Sequence, residues 1–378
     1  MCGNEDLRYV GNRNGELYCR KCIGFLGEPV DLDFESHTKN GHLEIKYKLT
    51  KEQNRVSKEV LENYRKGLDT LIYAVCGAGK TELVYRVIEY ALKRKEKVGF
   101  AIPRRDVVAE LGKRIKFAFK NYDVTTVFGG NTSILEGDII CLTTHQLFRY
   151  KNYFDLLVVD EIDAFPYAGN QTLISILNRS VKGNKVMMSA TPTEDILKEF
   201  SKKNKRIVKL RTRYHGDPIP VPIIRRFPRF VGLFFIIKRI KRYRSLNKPL
   251  LVFCPTISEC ENTYSFVKIF AKGGYYVHSK LKNRSEVIEK FRNGYYKYLI
   301  TTAVLERGVT LFDLQVIILH ADSYIYSKEA LIQIAGRVGR SIGATKGDVY
   351  FVGFKKTKEM VEAIGTIEED NSTLQNML

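Results

Sequence analysis

Across 378 residues the sequence has no apolar run approaching the roughly 20 residues that a bilayer-spanning helix needs. The longest, residues 231–237, is short and flanked by arginines. A secretory leader is lacking too, since acidic and polar residues follow Met1 at once, and this predicts a cytoplasmic protein. Surface contact with a membrane stays open at this point. Cysteine is scarce and odd in number, seven in all, so a disulfide framework is not expected. Cys76, Cys141, Cys254 and Cys260 stand within or beside apolar patterns and are expected only to pack. Acids are short: the formal net charge is +20. Residues 201–248 hold 16 Lys/Arg against the single acid Asp217, which is 15 of those 20 charges. So uneven a balance predicts a polyanionic partner, held by counterion release and steering; nucleic acid and anionic lipid both qualify.

What is present is a globular composition, 44% hydrophobic, in a chain too long for one ordinary core. Residues 71–75 form an apolar run that stops at Gly77-Ala78-Gly79, after which Lys80-Thr81 open a helical pattern. Strand, glycine-rich turn and helix in that order make a phosphate-binding loop. Glycines let backbone N–H groups approach phosphate, and the helix N-terminus adds positive partial charge. Lys80 is expected to reach the β- and γ-phosphates of ATP, and the Thr81 hydroxyl to ligate Mg²⁺. Ala74 stands where the general G-x-x-x-x-G-K-[ST] pattern has its first glycine.

Short strand-like runs at residues 98–102, 138–142, 156–160 and 186–189 alternate with helical stretches, which predicts a parallel sheet covered by helices. Ligands of such sheets bind beyond the carboxyl ends of the strands. There stand Pro103-Arg104-Arg105, Thr143-Thr144-His145-Gln146, Asp160-Glu161-Ile162-Asp163 and Ser189-Ala190-Thr191-Pro192. Asp160 is expected to hold Mg²⁺ and Glu161 to orient and deprotonate the attacking water. From residue 249 the alternation restarts, with strand-like runs at 250–254, 275–277, 298–301, 316–319 and 349–352 and no second phosphate loop. It carries Gln333-Ile334-Ala335-Gly336-Arg337-Val338-Gly339-Arg340, whose arginines, three apart on one expected helix face, could reach a nucleotide held by the other domain.

Thr50 with Gln53 fits a capping box opening a helix, and equally places Gln53 beside a bound adenine. Residues 1–48 read as a small loop-rich module with Cys2, Cys19 and Cys22, three ligands where tetrahedral zinc wants four. Either His37 or His42 completes a set, or a fourth cysteine belongs two residues upstream of Met1. The expected fold class is therefore α/β: two parallel-sheet domains in tandem behind a cysteine module. The expected boundaries are 1–48 for the module, 49–212 for the first domain, 213–248 for a proline-rich basic linker and 249–378 for the second domain.

In their order, Gly77-Ala78-Gly79-Lys80-Thr81, Asp160-Glu161-Ile162-Asp163, Ser189-Ala190-Thr191 and the 333–340 stretch resemble the nucleotide-site motifs of superfamily 2 helicases and translocases. The resemblance spans about residues 49–354. It implies that Gln333, Arg337 and Arg340 complete the ATP site from the second domain, and that Arg104, Thr144, Thr256 and Thr302 touch a nucleic-acid backbone. A narrower resemblance, to the ComFA family of late competence ATPases, rests on the stretches 160–167, 143–147 and 305–310. It implies a single-stranded-DNA-stimulated ATPase on the cytoplasmic face of the membrane, with other competence proteins at the channel as partners. A primosomal restart helicase of the PriA kind and an RNA helicase are alternatives within the superfamily; a nucleic-acid-binding scaffold is one outside enzymes.

Overall fold

The apolar runs become the buried strands of two parallel sheets, as seen in a computed structural model that describes residues 6–13, 15–22, 30, 41–45, 47–163, 170–302, 311–341 and 343–375. The chain divides into two compact units, one of Met1–Ala74 with Gly79–Leu210, the other of Val75–Ala78 with Arg211–Leu378.

In the first unit a short antiparallel hairpin, β1 (Val10–Arg13) and β2 (Glu16–Cys19), precedes β3 (His42–Leu43), which pairs antiparallel with β6 (Phe119–Lys120). The main sheet comprises β4 (Asp69–Ala74), β5 (Val98–Ile102), β7 (Val124–Val127), β8 (Ile139–Thr143), β9 (Phe154–Asp160), β10 (Val181–Ser189) and β11 (Lys205–Leu210). Their spatial order is β11-β4-β10-β9-β5-β8-β7, and every pairing is parallel. Helices α1 (Lys51–Arg65), α2 (Lys80–Leu83), α3 (Tyr85–Lys93), α4 (Arg105–Ala118), α5 (Gln171–Ser180) and α6 (Glu194–Phe200) connect and cover it. Strands β5 and β8 are buried at every residue, the expected condition for a sheet covered on both faces.

The second sheet holds β12 (Ile223–Arg226), β13 (Leu250–Phe253), β14 (Gly274–Val277), β15 (Tyr298–Thr301), β16 (Gln315–Leu319) and β17 (Val349–Gly353), in the order β12-β17-β16-β13-β15-β14, again all parallel. With it go α7 (Arg229–Ser245), α8 (Ile257–Phe270), α9 (Arg284–Arg292), α10 (Lys328–Ala335) and α11 (Lys358–Gln375). Its core joins Ile236, Ile237, Ile240 and Tyr243 of α7 to Val252, Ile300, Ile317 and Val352 of the strands.

Stretch 213–248, expected as a linker, is instead structural: β12 pairs along Tyr350–Gly353 and α7 supplies four core side chains. Charge hid this, because the basic residues of α7 flank a buried apolar stripe at Ile236, Ile237, Ile240 and Tyr243. Among the described residues no helix is long and apolar enough to cross a membrane.

Candidate nucleotide site and nucleic-acid contacts

Beyond β4 the backbone turns at Gly77 and Gly79, both left-handed at φ +84° and +74°, and Gly79 caps α2. A side chain at Gly79 would be strained there and would come within 2.7 Å of the Gln53 amide nitrogen. The loop is thus shaped as a cradle in which glycine keeps the backbone bare. Gln53 does two things at once. Its Oε1 accepts from the Thr50 N–H at 2.9 Å while its backbone N–H donates to Thr50 Oγ1 at 3.2 Å, completing the capping box of α1. The Nε2 end of the same side chain lies against Gly79.

Asp160 ends β9, and Glu161 follows it at φ +58°. That left-handed conformation costs a residue with a Cβ about 1–2 kcal/mol, and strain of this kind collects at functional positions. The Glu161 N–H donates to Asp160 Oδ1 at 2.9 Å, tying the Asp160 carboxylate to the Glu161 backbone in one turn. Register sets their height: Ile72 of β4, Met188 of β10 and Asp160 of β9 lie side by side. Strands β4 and β9 stand two sheet spacings apart, about 10 Å, with their carboxyl ends on the same edge. Phosphate loop and carboxylates therefore face the same edge of one sheet.

Between them runs β10, and here the structure links two motifs that sequence reading kept separate. Ser189 Oγ donates to Asp163 Oδ1 at 2.7 Å and Thr191 Oγ1 to Asp163 Oδ2 at 2.8 Å; the Thr191 N–H donates back to Ser189 Oγ at 2.9 Å. Asp163 thus fastens the turn after β10 to the turn carrying Glu161. Its position three residues after Asp160 was visible, but its partners were not.

In the second unit α10 stops at Ala335, so Arg337 and Arg340 lie in the turn beyond it and not on a common helix face. Gly336 ends the helix and Gly339, at φ +70°, makes continuation impossible. Gln333 and Arg337 are buried, at 7% and 2% exposure. Arg340 is half-buried and its Nε–H donates to the Gly336 carbonyl at 2.8 Å. Arg213, to which no motif pointed, holds this turn from behind. Its Nη1 donates to the Val338 and Gly339 carbonyls at 2.9 and 2.8 Å, and its Nη2 to the Gly336 carbonyl at 3.1 Å. Burial, then the charge of Arg340, bring its guanidinium down to about 10, which still leaves it cationic at neutral pH.

The four residues expected to meet nucleic acid are differently placed. Arg104 caps the start of α4 and sits 3.6 Å from the Asp106 carboxylate. Thr256 caps α8, accepting from the Glu259 N–H at 3.1 Å. Thr144 and Thr302 are 1% and 8% exposed, so their side chains offer little surface to a strand. The 305–310 and 164–167 stretches lie outside the described residues.

Two metals are implied by the sequence. For Mg²⁺ the donors fit: Asp160 and Thr81 supply the hard oxygen ligands it prefers, beside a turn where Gly77 and Gly79 leave the backbone bare. Among the described residues no three His, Cys, Asp or Glu side chains gather for a metal. Cys19 is half-buried and Cys22 buried, neither in a disulfide, and His42 is exposed on β3; Cys2 and His37 lie outside the described residues. The cysteine module is accordingly seen only as the β1–β2 hairpin and the turn after it.

Residues 46–194 match the family described as type III restriction enzyme, res subunit, and residues 235–342 the helicase conserved C-terminal domain. The solved structure of Dbp5 from S. cerevisiae, bound to RNA and ADP BeF3, superposes with a TM-score of 0.63 at 17% identity, covering 85% of this chain and 92% of that one. This likeness fixes the fold as two RecA-like domains. The competence protein ComFA of Bacillus subtilis is 36% identical over 98% of this chain and 84% of its own length. ComFA of Streptococcus pneumoniae is 33% identical over 94% and 86%. Near full-length identity of this order, with helicase domains matched in both units, establishes that the chain belongs to the ComFA family of superfamily 2 helicase-like proteins.

Proposed function

We propose that the protein hydrolyses ATP to drive a two-domain motor along single-stranded DNA during uptake of transforming DNA. The observation that carries this reading is the common sheet edge shared by the phosphate loop after β4 and the Asp160-Glu161 turn after β9, with Asp163 fastening β10 between them. The names of the relatives supply the competence setting, and with it the proposal takes a cytoplasmic location at the membrane channel and other uptake proteins as partners.

In this mechanism the Gly77–Gly79 backbone cradles the phosphates and Lys80 neutralises charge across the β- and γ-groups. Thr81 and Asp160 would hold Mg²⁺, which when bound would offset negative charge on the transferring phosphoryl group. Glu161 aligns the attacking water and takes its proton. The strained backbone at Glu161 supports this role, since strain of that kind collects at functional positions. Gln333, Arg337 and Arg340 stabilise the γ-phosphoryl charge, and the Arg213 clamp presets their turn. Gln53, braced against Gly79, reads the adenine while it caps α1. Arg104 and Thr256, at helix starts on each unit, meet the DNA backbone, whereas Thr144 and Thr302 are too buried for their side chains to do so.

ATP turnover measured side by side with single-stranded DNA, duplex DNA, RNA and no nucleic acid tests the proposal. Strong stimulation by single-stranded DNA is expected. Preference for RNA would overturn the DNA motor, preference for forked duplex would favour a restart helicase, and no turnover at all would leave a binding scaffold.

A further inference from the structure

Strand β14 is the outer strand of the second sheet, paired among the described residues on one side only, to β15. Edge strands expose unpaired backbone groups and are ordinarily blunted with charge. This one carries Tyr275 and Tyr276. Alternation along a strand should send neighbouring side chains to opposite faces, yet these two rings are stacked, with centroids 5.1 Å apart and planes 19° from parallel. Tyr296 extends the stack on Tyr275 at 5.4 Å and 22°. Tyr295, 71% exposed, stands edge-on to Tyr296 at 5.0 Å.

Packing accounts for only part of the cluster. Tyr264 and Tyr276 lie against the core of the unit and Tyr275 leans on Tyr264 at 5.5 Å, while Tyr275 and Tyr296 stay half-buried and Tyr295 exposed. A continuous stack of half-buried tyrosines that ends in the exposed Tyr295 leaves apolar ring area open to solvent, as a surface kept for a ligand does. The surrounding charge says which kind. Residues 264–297 include eight Lys/Arg and two acids. Lys268 Nζ lies 5.7 Å from the Tyr264 ring centre and Lys290 Nζ 5.8 Å from that of Tyr295. Flat π-faces among cations suit a ligand with flat rings on an anionic chain, which is single-stranded nucleic acid.

We infer that the tyrosines at the free β14 edge form a base-stacking platform, with Tyr275, Tyr295 and Tyr296 as its working rings. The inference rests on the proposed function for the identity of the ligand and adds the part of it that is gripped: the bases, in addition to the phosphates. Stacking tolerates any base, as a protein that handles DNA of arbitrary sequence requires.

The test is oligo(dT) binding by the full chain at fixed salt, followed by anisotropy of a labelled oligonucleotide. It compares wild type, Tyr295→Ala/Tyr296→Ala, Tyr275→Ala and the matching Phe variants, with thermal melts to check folding. Removing each ring should weaken binding at least roughly 5-fold, the Phe variants should restore it, and the salt slope should not change. An oligonucleotide of abasic sites should bind all variants alike. Because the chain has no tryptophan, its 22 tyrosines dominate intrinsic emission, and oligo(dT) should quench wild type more than the double Ala variant. Folded Ala variants that bind oligo(dT) as wild type does would overturn the platform and leave the edge as a protein-docking strand. A wild type that binds no single strand would overturn the proposed function as well, so the two failures are distinguishable.

Discussion

The two sheets are one topology used twice. In the first, the run β4-β10-β9-β5-β8-β7 has the order that β12-β17-β16-β13-β15-β14 has in the second, strand for strand. Strand β12 thereby occupies the place of β4, yet the two are unlike in everything that matters for chemistry. Strand β4 is covered by β11 and mostly buried; β12 is a sheet edge, with Ile223, Arg225 and Arg226 exposed. After β4 come two left-handed glycines, Lys80 and a short helix; after β12 come Phe227, Pro228 and the 17-residue α7. A parallel sheet supplies a position at its carboxyl edge, and the residues after each strand decide whether that position holds phosphate.

That contrast can be broken by mutation. Lys80→Ala or Glu161→Gln should lower ATP turnover at least about 100-fold, the scale for losing a group that stabilises transition-state charge, while single-stranded DNA binding changes little. Turnover that survives both would return the first sheet's edge to the same status as the second's. Next in size is the turn that the second unit has and the first lacks. Arg213→Ala leaves three buried carbonyls without their donor and should cost about 3 kcal/mol, read as a lower denaturation midpoint. An unchanged midpoint would show that the turn holds itself.

Asp370, on α11, offers a pH-dependent measure of the second unit. Burial, its main cause, raises its carboxyl from 3.8 to about 6. A folded pKa above the unfolded one means the neutral acid is favoured in the fold. Stability from that preference is full below about pH 4 and is lost as pH rises through about 6. Asp370→Asn should therefore stabilise the unit above pH 6, by up to about 3 kcal/mol, and converge with wild type near pH 4. Melting curves from pH 4 to 8 that stay parallel would contradict the burial argument. The smallest effect is expected at β12 itself. Arg225→Glu/Arg226→Glu should weaken single-stranded DNA binding several-fold and reduce its salt slope by about 1.4, or 0.7 for each phosphate no longer neutralised. Basal hydrolysis should be untouched. An unaltered slope would make β12 purely structural.

Legibility from sequence followed the range of the interactions. The runs at 98–102 and 298–301 match β5 and β15 residue for residue, since fully buried strands read as continuous apolar blocks. Strands β7 and β12 escaped notice: Val124-Thr125-Thr126-Val127 is half-buried and polar in the middle, and β12 hides among prolines and arginines. The turn after α10 was misread as helix because arginines three apart suit either, and only the left-handed Gly339 separates them.

Sequence alone was enough to point to the proposed nucleotide site of this protein. Glycines, Lys80-Thr81 and Asp160-Glu161 follow their strands at once, and a strand, a turn and a helix start are made by neighbours along the chain. Tertiary structure alone decided the clasp of Asp163 on Ser189 and Thr191, 26 and 28 residues away, and the grip of Arg213 on carbonyls more than 120 residues away. It also decided that a proline-rich basic stretch is a strand and a core helix, and that tyrosines about 20 residues apart stack at one free edge. Such contacts have no period along the chain. They exist only once parallel register has set which residues stand side by side.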